Sequence, residues 1–458
     1  MNIAEAILKT RADIAGLSVF SALKKHPLIQ SLDILLEDVF RKAAPLDLVR
    51  DWAGFTETFT REGWVKSFYF RIVFLTITDD NAFTRGLEAA APDRLPPALC
   101  ALAGSDLSRL GRIAAFDLPG LGTHLAGLLA NAGLGESAAA VGKEAEFLSG
   151  GTDAAVGAGM AGLFPKNTGW GEALPKLGAY IRAHGAGEMG LYSFFSWSAG
   201  PQSGFSLRPV FNPDPIRLAD LSGYEDQRSV VTANTLRFLE GKIANNLLLY
   251  GDRGTGKSAT VKAVCNEYTG QGLRLVEVRK GNLPELPAIL NILSSRALRF
   301  IVFIDDLSFE SAGDSFTDLK ALLEGSVESR PDNVVVYATS NRRHLVKERL
   351  SDRPSSAEAA NAASTGDIRA FDTMQEQFSL ADRFGITVIY TAPNQDEYLR
   401  IACFIGQRRG VLGTGEEEQQ RFRDNALRWE RWFNGRSPRT AAQYVEWVAG
   451  GAGFPWES

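Results

Sequence analysis

Residues 246–268 read NLLLYGDRGTGKSATVKAVCNEY, and this stretch decides the fold. The apolar run NLLLY predicts a strand, and SATVKAVCNEY predicts a helix. A glycine-rich turn lies between the strand and the helix. That turn fits G-x-x-x-x-G-K-[ST] at every fixed position. Glycines let the backbone curl so that successive N–H groups and a helix N-terminus point at phosphate oxygens. The stretch therefore predicts a nucleotide-phosphate cradle made by Gly251, Asp252, Arg253, Gly254, Thr255, Gly256, Lys257 and Ser258.

Within this cradle the residue types assign two roles. We expect Lys257 to reach the β- and γ-phosphates of ATP, and the Ser258 hydroxyl to coordinate Mg²⁺. A chance match of a glycine-rich turn is the alternative, and the strand–loop–helix context argues against it.

A second apolar run, RFIVFIDDLSFE at 299–310, stops at two carboxylates. A buried parallel strand has this pattern, and α/β sheets place their ligands at the carboxyl ends of such strands. We expect Asp305 to hold Mg²⁺ directly or indirectly, and Asp306 to position the attacking water. Glu310 is a less favoured substitute base, and two solvated carboxylates that merely end a strand are the alternative to both roles.

Working outward from these motifs, short apolar runs alternate with helical segments. Such alternation predicts an α/β fold with a mostly parallel sheet. Gly and Pro residues from Gly200 onward mark a domain boundary near 205–212. We expect a nucleotide-binding core at 206–392 with a mobile Ser- and Ala-rich insertion at 351–372, and an α-helical domain at 393–458. The five strand candidates are 246–250, 273–278, 300–304, 333–338 and 386–390.

Residues 1–205 predict a mainly helical N-terminal domain of unknown role, without a catalytic signature. Within it, the run SFYFRIVFLTI is compatible with a buried helix or a strand. A chain of 458 residues is too long for one core.

Composition and sequence pattern argue against several classes of protein. No apolar run approaches the roughly 20 residues of a membrane span, and the start lacks the pattern of a secretory signal, so we expect a cytoplasmic protein with no membrane partner. Cys100, Cys265 and Cys403 have no paired spacing that would indicate a zinc site or a disulfide framework. A formal net charge of −5 argues against a broad electrostatic grip on nucleic acid.

Taken together, the motifs resemble those of the AAA+ ATPases. NNLLLYGDRGTGKS resembles their Walker A segment, FIVFIDDLSFE their Walker B segment and YATSNRR their sensor-1 strand. LADRFGI resembles the segment with the arginine finger, and RSPRTAAQYVEW the sensor-2 helix of the lid. More narrowly, NPDPIRLADLSGYEDQR, DDLSFE and ATSNRRHL resemble the domain of unknown function 815 family of predicted bacterial ATPases.

This resemblance implies a P-loop AAA+ core whose five parallel strands have the order 5-1-4-3-2, a helical lid at 393–458, and a ring-like homo-oligomer with ATP between neighbours. It implies that Asn341 is a sensor, that Arg383 is an arginine finger and that Arg439 contacts nucleotide from the lid. Arg436 is the nearest rival of Arg439, and surface roles for these arginines stay open. Tyr224 and Leu221 are candidates to line the adenine pocket or simply to belong to the core.

Two functions from different classes follow. The first is an ATPase that remodels or loads a macromolecular partner, either a protein or a nucleic acid. The second is a nucleotide-gated binding or assembly module with slow or absent hydrolysis, because Asp306 is one methylene shorter than the usual glutamate. A P-loop kinase is disfavoured, since no acceptor-site motif is present.

Overall fold

The computed structural model describes residues 2–61, 67–90, 92–149, 162–164, 169–199, 205–307, 330–341, 384–433, 435–451, 453–454 and 456. The chain divides into two compact units, Met1–Leu191 and Tyr192–Ser458. Glu310, Arg383 and the 351–372 insertion lie outside the described residues.

The first unit is helical, as the sequence predicts. Its described helices are α1 (Ile3–Ala15), α2 (Pro27–Arg41), α3 (Pro45–Arg61), α4 (Phe68–Thr78), α5 (Ala82–Ala89), α6 (Pro97–Ala114), α7 (Leu118–Asn131), α8 (Gly135–Ser149), α9 (Leu174–His184) and α10 (Glu188–Leu191). Short 3₁₀ turns lie at Ser21–Lys25, Pro92–Arg94 and Trp170–Ala173. The ambiguous run SFYFRIVFLTI forms α4, which is buried on nearly all sides and so has no polar face to reveal its helical period.

The helices of this unit close over a single apolar core. Leu32, Leu35 and Leu36 of α2 are fully buried in it, as are Leu107 and Leu110 of α6. Among the described residues no single helix is long and apolar enough to cross a membrane, although α6 and α7 meet that test as a pair bent by 49°.

The second unit is built on a mostly parallel sheet. Its strands are β1 (Phe194–Ala199), β2 (Phe205–Pro209), β3 (Leu247–Gly251), β4 (Leu273–Glu277), β5 (Arg299–Ile304), β6 (Val334–Ser340) and β7 (Ile386–Tyr390). They lie in the order β2-β1-β4-β5-β6-β3-β7. The five expected strands are β3 to β7, and among themselves they follow the expected order 5-1-4-3-2.

The expected count of five strands is wrong, because the sheet has seven strands within the described residues alone. The additional β1 runs parallel to β4, and β2 pairs with β1 antiparallel. The Gly-Pro sequence between β1 and β2 favours a linker over a hairpin, which is why the sequence did not predict them. Because β1 and β2 pair within this sheet, the two compact units divide between Leu191 and Tyr192, and the expected N-terminal domain at 1–205 stays a prediction.

Three described helices lie between the strands in sequence, and three follow the last strand. They are α11 (Glu225–Leu239), α12 (Lys257–Tyr268), α13 (Leu286–Ser294), α14 (Gln395–Arg408), α15 (Glu416–Trp432) and α16 (Pro438–Ala449), with 3₁₀ turns at Leu218–Asp220, Thr269–Gln271 and Lys280–Glu285. The last three helices have an apolar core of their own, which includes Tyr398, Trp429 and Tyr444. They share a compact unit with the sheet, so a separate lid domain at 393–458 stays a prediction.

Candidate nucleotide-binding site

The glycine-rich loop adopts a backbone that side chains would prevent. Gly251 and Gly254 have φ angles of 137° and 75°. A Cβ atom on Gly251 would lie 1.9 Å from the Tyr390 carbonyl oxygen, and one on Gly254 would lie 2.9 Å from Ser437 Oγ. The loop then enters α12 at Lys257, so the helix N-terminus with its unpaired N–H groups follows directly.

The loop forms one wall of a cavity of about 970 Å³. A space of this size holds a small organic ligand or cofactor. The lining comes from the loop, from the ends of β5 and β6, from the segment before α11, and from α14 and α16. It includes Leu221, Tyr224, Arg253, Gly254, Thr255, Gly256, Lys257, Ser258, Asp305, Asp306, Asn341 and Arg439.

The Lys257 side chain is buried beneath the loop. Its Nζ donates hydrogen bonds to the carbonyl oxygens of Gly251 and Asp252, at 3.0 and 2.7 Å. Burial lowers the pKa of Lys257 to about 8, although the nearby carboxylates of Asp252, Asp305 and Asp306 oppose that shift. The ammonium group is thus poorly solvated, and an anion in the cavity would stabilise its charge.

Asp305 is the centre of a compact hydrogen-bond network. Its Oδ1 atom accepts from Ser258 Oγ at 2.5 Å, from Thr339 Oγ1 at 2.6 Å and from the Asp306 N–H at 3.1 Å. The structure therefore brings the two expected Mg²⁺ residues, Ser258 and Asp305, into direct contact. Hard oxygen donors of this kind suit Mg²⁺, which commonly uses one or two carboxylates together with substrate phosphates.

A pre-formed metal cage is absent from the part of the chain that the structure describes, where no group of three His, Cys, Asp or Glu side chains converges. The oxygen donors of Ser258 and Asp305 fit a magnesium ion that is shared with a nucleotide, because such an ion needs few protein ligands.

Asp306 has an unusual backbone and an exposed side chain. Its φ angle of 52° places it in the left-handed region, which non-glycine residues seldom occupy. Oδ1 accepts a hydrogen bond from Asn341 Nδ2 at 2.6 Å, and Oδ2 lies 3.6 Å from Lys280 Nζ. The two residues expected to act on water, Asp306 and Asn341, are thus in contact.

Two residues of this site, Thr339 and Lys280, were missed in the sequence. Thr339 lies near the end of β6 and two positions before Asn341, and an extended backbone would place both side chains on the same side, which is a signal that strand alternation offers. Lys280 follows β4, which neighbours β5 in the sheet, so its proximity to Asp306 depends on the strand order. Ser340, the residue before Asn341, is fully buried.

The expected base-pocket residue Tyr224 lies at the cavity. Its hydroxyl donates to the Thr391 carbonyl at 2.7 Å, and its ring centroid is 5.2 Å from that of Tyr390. Burial is the main reason that the pKa of Tyr224 is raised, so the phenol stays neutral. An aromatic ring in this position offers an apolar surface to a planar base.

Of the two candidate arginines in α16 and the segment before it, Arg439 lies at the cavity. Its backbone N–H donates to the Gly254 carbonyl at 3.2 Å, which joins α16 to the loop. The side chain of Arg436 instead donates to Glu430 Oε1 at 3.1 Å. Arg439 lines the cavity and Arg436 does not, and a contact of Arg439 with nucleotide stays a prediction.

The phosphate loop, the 5-1-4-3-2 order of the five strands and the carboxylates at the end of β5 define a P-loop fold of the AAA+ class, whose members bind ATP. The model of the family described as "Protein of unknown function (DUF815)" matches residues 191–452, which is more than half of the chain. The chain belongs to this family. No curated protein matches the chain.

Among solved structures, two point mutants of Thermotoga maritima RuvB are similar, each with 18% identity and a TM-score of 0.33. The matches cover 52% and 53% of this chain, and 65% and 66% of the RuvB chains. The chain thus spans slightly less than two thirds of those RuvB chains. A further RuvB structure, described as a Holliday junction branch migration motor, has 15% identity and a TM-score of 0.28. That match covers 52% of this chain and 72% of the RuvB chain.

Proposed function

We propose that this protein binds ATP with Mg²⁺ in the cavity and hydrolyses it to ADP and phosphate. The observation that supports this most directly is the 2.5 Å hydrogen bond between Ser258 Oγ and Asp305 Oδ1, which joins the phosphate loop to the acidic end of β5. A metal ion shared with phosphates needs oxygen ligands from both sides, and this contact holds them together.

Each polar residue of the cavity would have a separate role in phosphoryl transfer. Ser258 and Asp305 would hold Mg²⁺, which supplies charge neutralisation to the phosphates when it is bound. Lys257 would contact the β- and γ-phosphates. Asp306 would accept a hydrogen bond from the attacking water, while Asn341, 2.6 Å from Asp306, fixes the carboxylate in place.

A single substitution tests the site. Lys257→Ala should reduce ATP turnover to background, because it removes the fixed cation that stabilises the transferred phosphate. Lys262→Ala is the matched control, since Lys262 lies in the same helix but not at the cavity. Phosphate release by purified protein is the measurement, and undiminished turnover in Lys257→Ala would refute the proposed site.

A nucleotide-gated assembly module is the second candidate, and the surroundings of Asp306 favour it. Both carboxylate oxygens already have protein neighbours, Asn341 and Lys280, which compete with water. In this case ATP would bind without measurable turnover. Equilibrium ATP binding together with single-turnover hydrolysis distinguishes the two candidates, because only the ATPase converts its bound ATP to ADP.

We further propose a ring-like homo-oligomer in which Arg383 acts on the ATP of a neighbouring subunit, to remodel or load a protein or nucleic-acid client. The support is the resemblance of LADRFGI to an arginine-finger segment. Arg383→Ala should bind ATP yet lose turnover, and mixing it with Lys257→Ala should restore part of the activity. Mixed rings would then contain interfaces with one intact cradle and one intact arginine. Full activity of Arg383→Ala at dilutions where the protein is monomeric contradicts this assignment.

A further inference from the structure

Thr339 occupies a junction between the two aspartates that the proposed function uses. It lies near the end of β6, in the register where Ala338 is level with Ile304 of the neighbouring β5, and it is 2% exposed. Asp305 and Asp306 follow Ile304, the last residue of β5, so both lie beside the Thr339 side chain.

The Thr339 hydroxyl makes two different hydrogen bonds. It donates to Asp305 Oδ1 at 2.6 Å and accepts from the Asp306 N–H at 2.8 Å. The backbone carbonyl oxygen of Thr339 also accepts a hydrogen bond from the Leu307 N–H at 2.7 Å. Thr339 therefore contacts three consecutive residues, and its hydroxyl alone links one aspartate by the side chain and the next by the backbone.

Each of these bonds has a consequence for the site. The bond to Asp305 helps to fix the rotamer of that carboxylate. All three hydrogen bonds that described residues donate to the Asp305 carboxylate end on Oδ1, so Oδ2 receives none from the described residues and is the oxygen proposed to face Mg²⁺. The bond from the Asp306 N–H holds that residue at its φ of 52°, a conformation that persists only where neighbours enforce it. The Asp306 carboxylate consequently projects toward the cavity, where it meets Asn341.

We propose that Thr339 is a positioning residue that orients both aspartates through this one hydroxyl. The inference rests on the proposed function, because it assigns the Mg²⁺ role to Asp305 and the water role to Asp306. Thr339 is not among the residues that line the cavity, so the role proposed for it is exerted through its two neighbours.

The test compares three variants. Thr339→Val replaces the hydroxyl with a methyl group at nearly equal volume, and Thr339→Ser keeps the hydroxyl but loses the γ-methyl group. Thr235→Val is the matched control, since Thr235 is also fully buried and hydrogen-bonded, to Tyr337, but contacts neither aspartate. We expect Thr339→Val to lower kcat by roughly tenfold or more with an ATP affinity within about threefold of wild type, which is the pattern of a lost transition-state interaction. Thr339→Ser should restore most of kcat, and Thr235→Val should leave it unchanged. Equal effects of Thr339→Val and Thr235→Val would overturn the proposal.

A second readout separates this inference from the proposed hydrolysis. The ratio of ATP affinities with and without Mg²⁺ reports on Asp305 even when no turnover occurs. We expect this ratio to fall in Thr339→Val and to recover in Thr339→Ser. If the wild-type protein shows no turnover, the proposed hydrolysis fails, and an unchanged ratio in Thr339→Val then overturns the positioning role as well, whereas a reduced ratio supports it for Asp305.

Discussion

Asp106 in the helical unit and Asp306 in the sheet unit show opposite uses of the same side chain. Asp106 is fully buried and accepts hydrogen bonds from the N–H groups of Ser18, Val19 and Phe20, at 2.7, 2.7 and 3.2 Å. Arg109 adds an ion pair at 2.8 Å. Asp306 has a side chain that is 56% exposed, and its partners are one amide and one lysine.

The difference distinguishes a structural carboxylate from one available for chemistry. Asp106 has donors on both oxygens and orders the loop after α1, so its hydrogen bonds stabilise the fold. Asp306 is held in a left-handed backbone conformation at the edge of a cavity, and such strained residues concentrate at functional sites. Substitution of Asp106 should therefore change stability, whereas substitution of Asp306 should change turnover.

The largest effect is expected for Asp306→Asn. The amide keeps the shape of the side chain but loses the charge that polarises water, so turnover should fall by roughly 10²–10⁴-fold while ATP still binds. The measurements are kcat and the ATP dissociation constant, with the exposed Asp332→Asn as the control. If Asp306→Asn hydrolyses ATP as well as wild type, the role assigned to Asp306 is wrong and Glu310 is the next carboxylate to test.

Asp306→Glu sharpens this result. Faster hydrolysis in the variant would mean that the shorter side chain slows an otherwise competent site, as a nucleotide-gated switch requires. A reduced rate would mean that the pocket is built around aspartate, because Asn341 already contacts Oδ1 at 2.6 Å and an added methylene would disturb that bond.

The second largest expected effect is a loss of stability in Asp106→Ala. Removing this carboxylate leaves three backbone N–H groups and the Arg109 guanidinium without their acceptor. We expect the free energy of unfolding to fall by roughly 2–4 kcal/mol. Urea denaturation followed by circular dichroism measures the change, with Asp47→Ala as the control, because Asp47 makes an exposed ion pair with Arg50. A change as small as that of the control would show that the Asp106 network contributes little to the fold.

The sequence predicts the local parts of the cavity well because their geometry is local. Gly251 and Gly254 both have positive φ angles within one short loop, so the spacing of glycines in the motif is enough to predict the cradle. The apolar runs that end at Asp305 and near Asn341 likewise predict strand ends. β1 and β2 escaped prediction because the Gly-Pro residues between them favour a linker.

Contacts between strands are harder to predict, since they depend on sheet order and register together. The distance of 3.6 Å between Lys280 and Asp306 arises only because β4 and β5 are neighbours in the sheet. The pairing of Thr339 with both aspartates depends on the register of β5 against β6. Neither relation has a local sequence signal beyond strand alternation, so the predicted site contained Asp305 and Asp306 without their neighbours Thr339 and Lys280.

The smallest expected effect tests whether the neighbours of Asp306 restrain it. In Lys280→Gln the cation beside Oδ2 is lost, so water meets less competition for that oxygen and turnover should rise by roughly two- to fivefold. The gain is limited because the pair is exposed, with side-chain exposures of 40% and 56%, and such ion pairs contribute about 1 kcal/mol or less. Lys242→Gln is the matched control, since Lys242 pairs with Glu240 at 2.6 Å on another exposed surface. The advantage of Lys280→Gln over wild type should also shrink as salt is added, because salt screens the wild-type ion pair. A fall in turnover would mean instead that the Lys280 cation assists the reaction, and Asp306 would then be a carboxylate supported by its lysine neighbour.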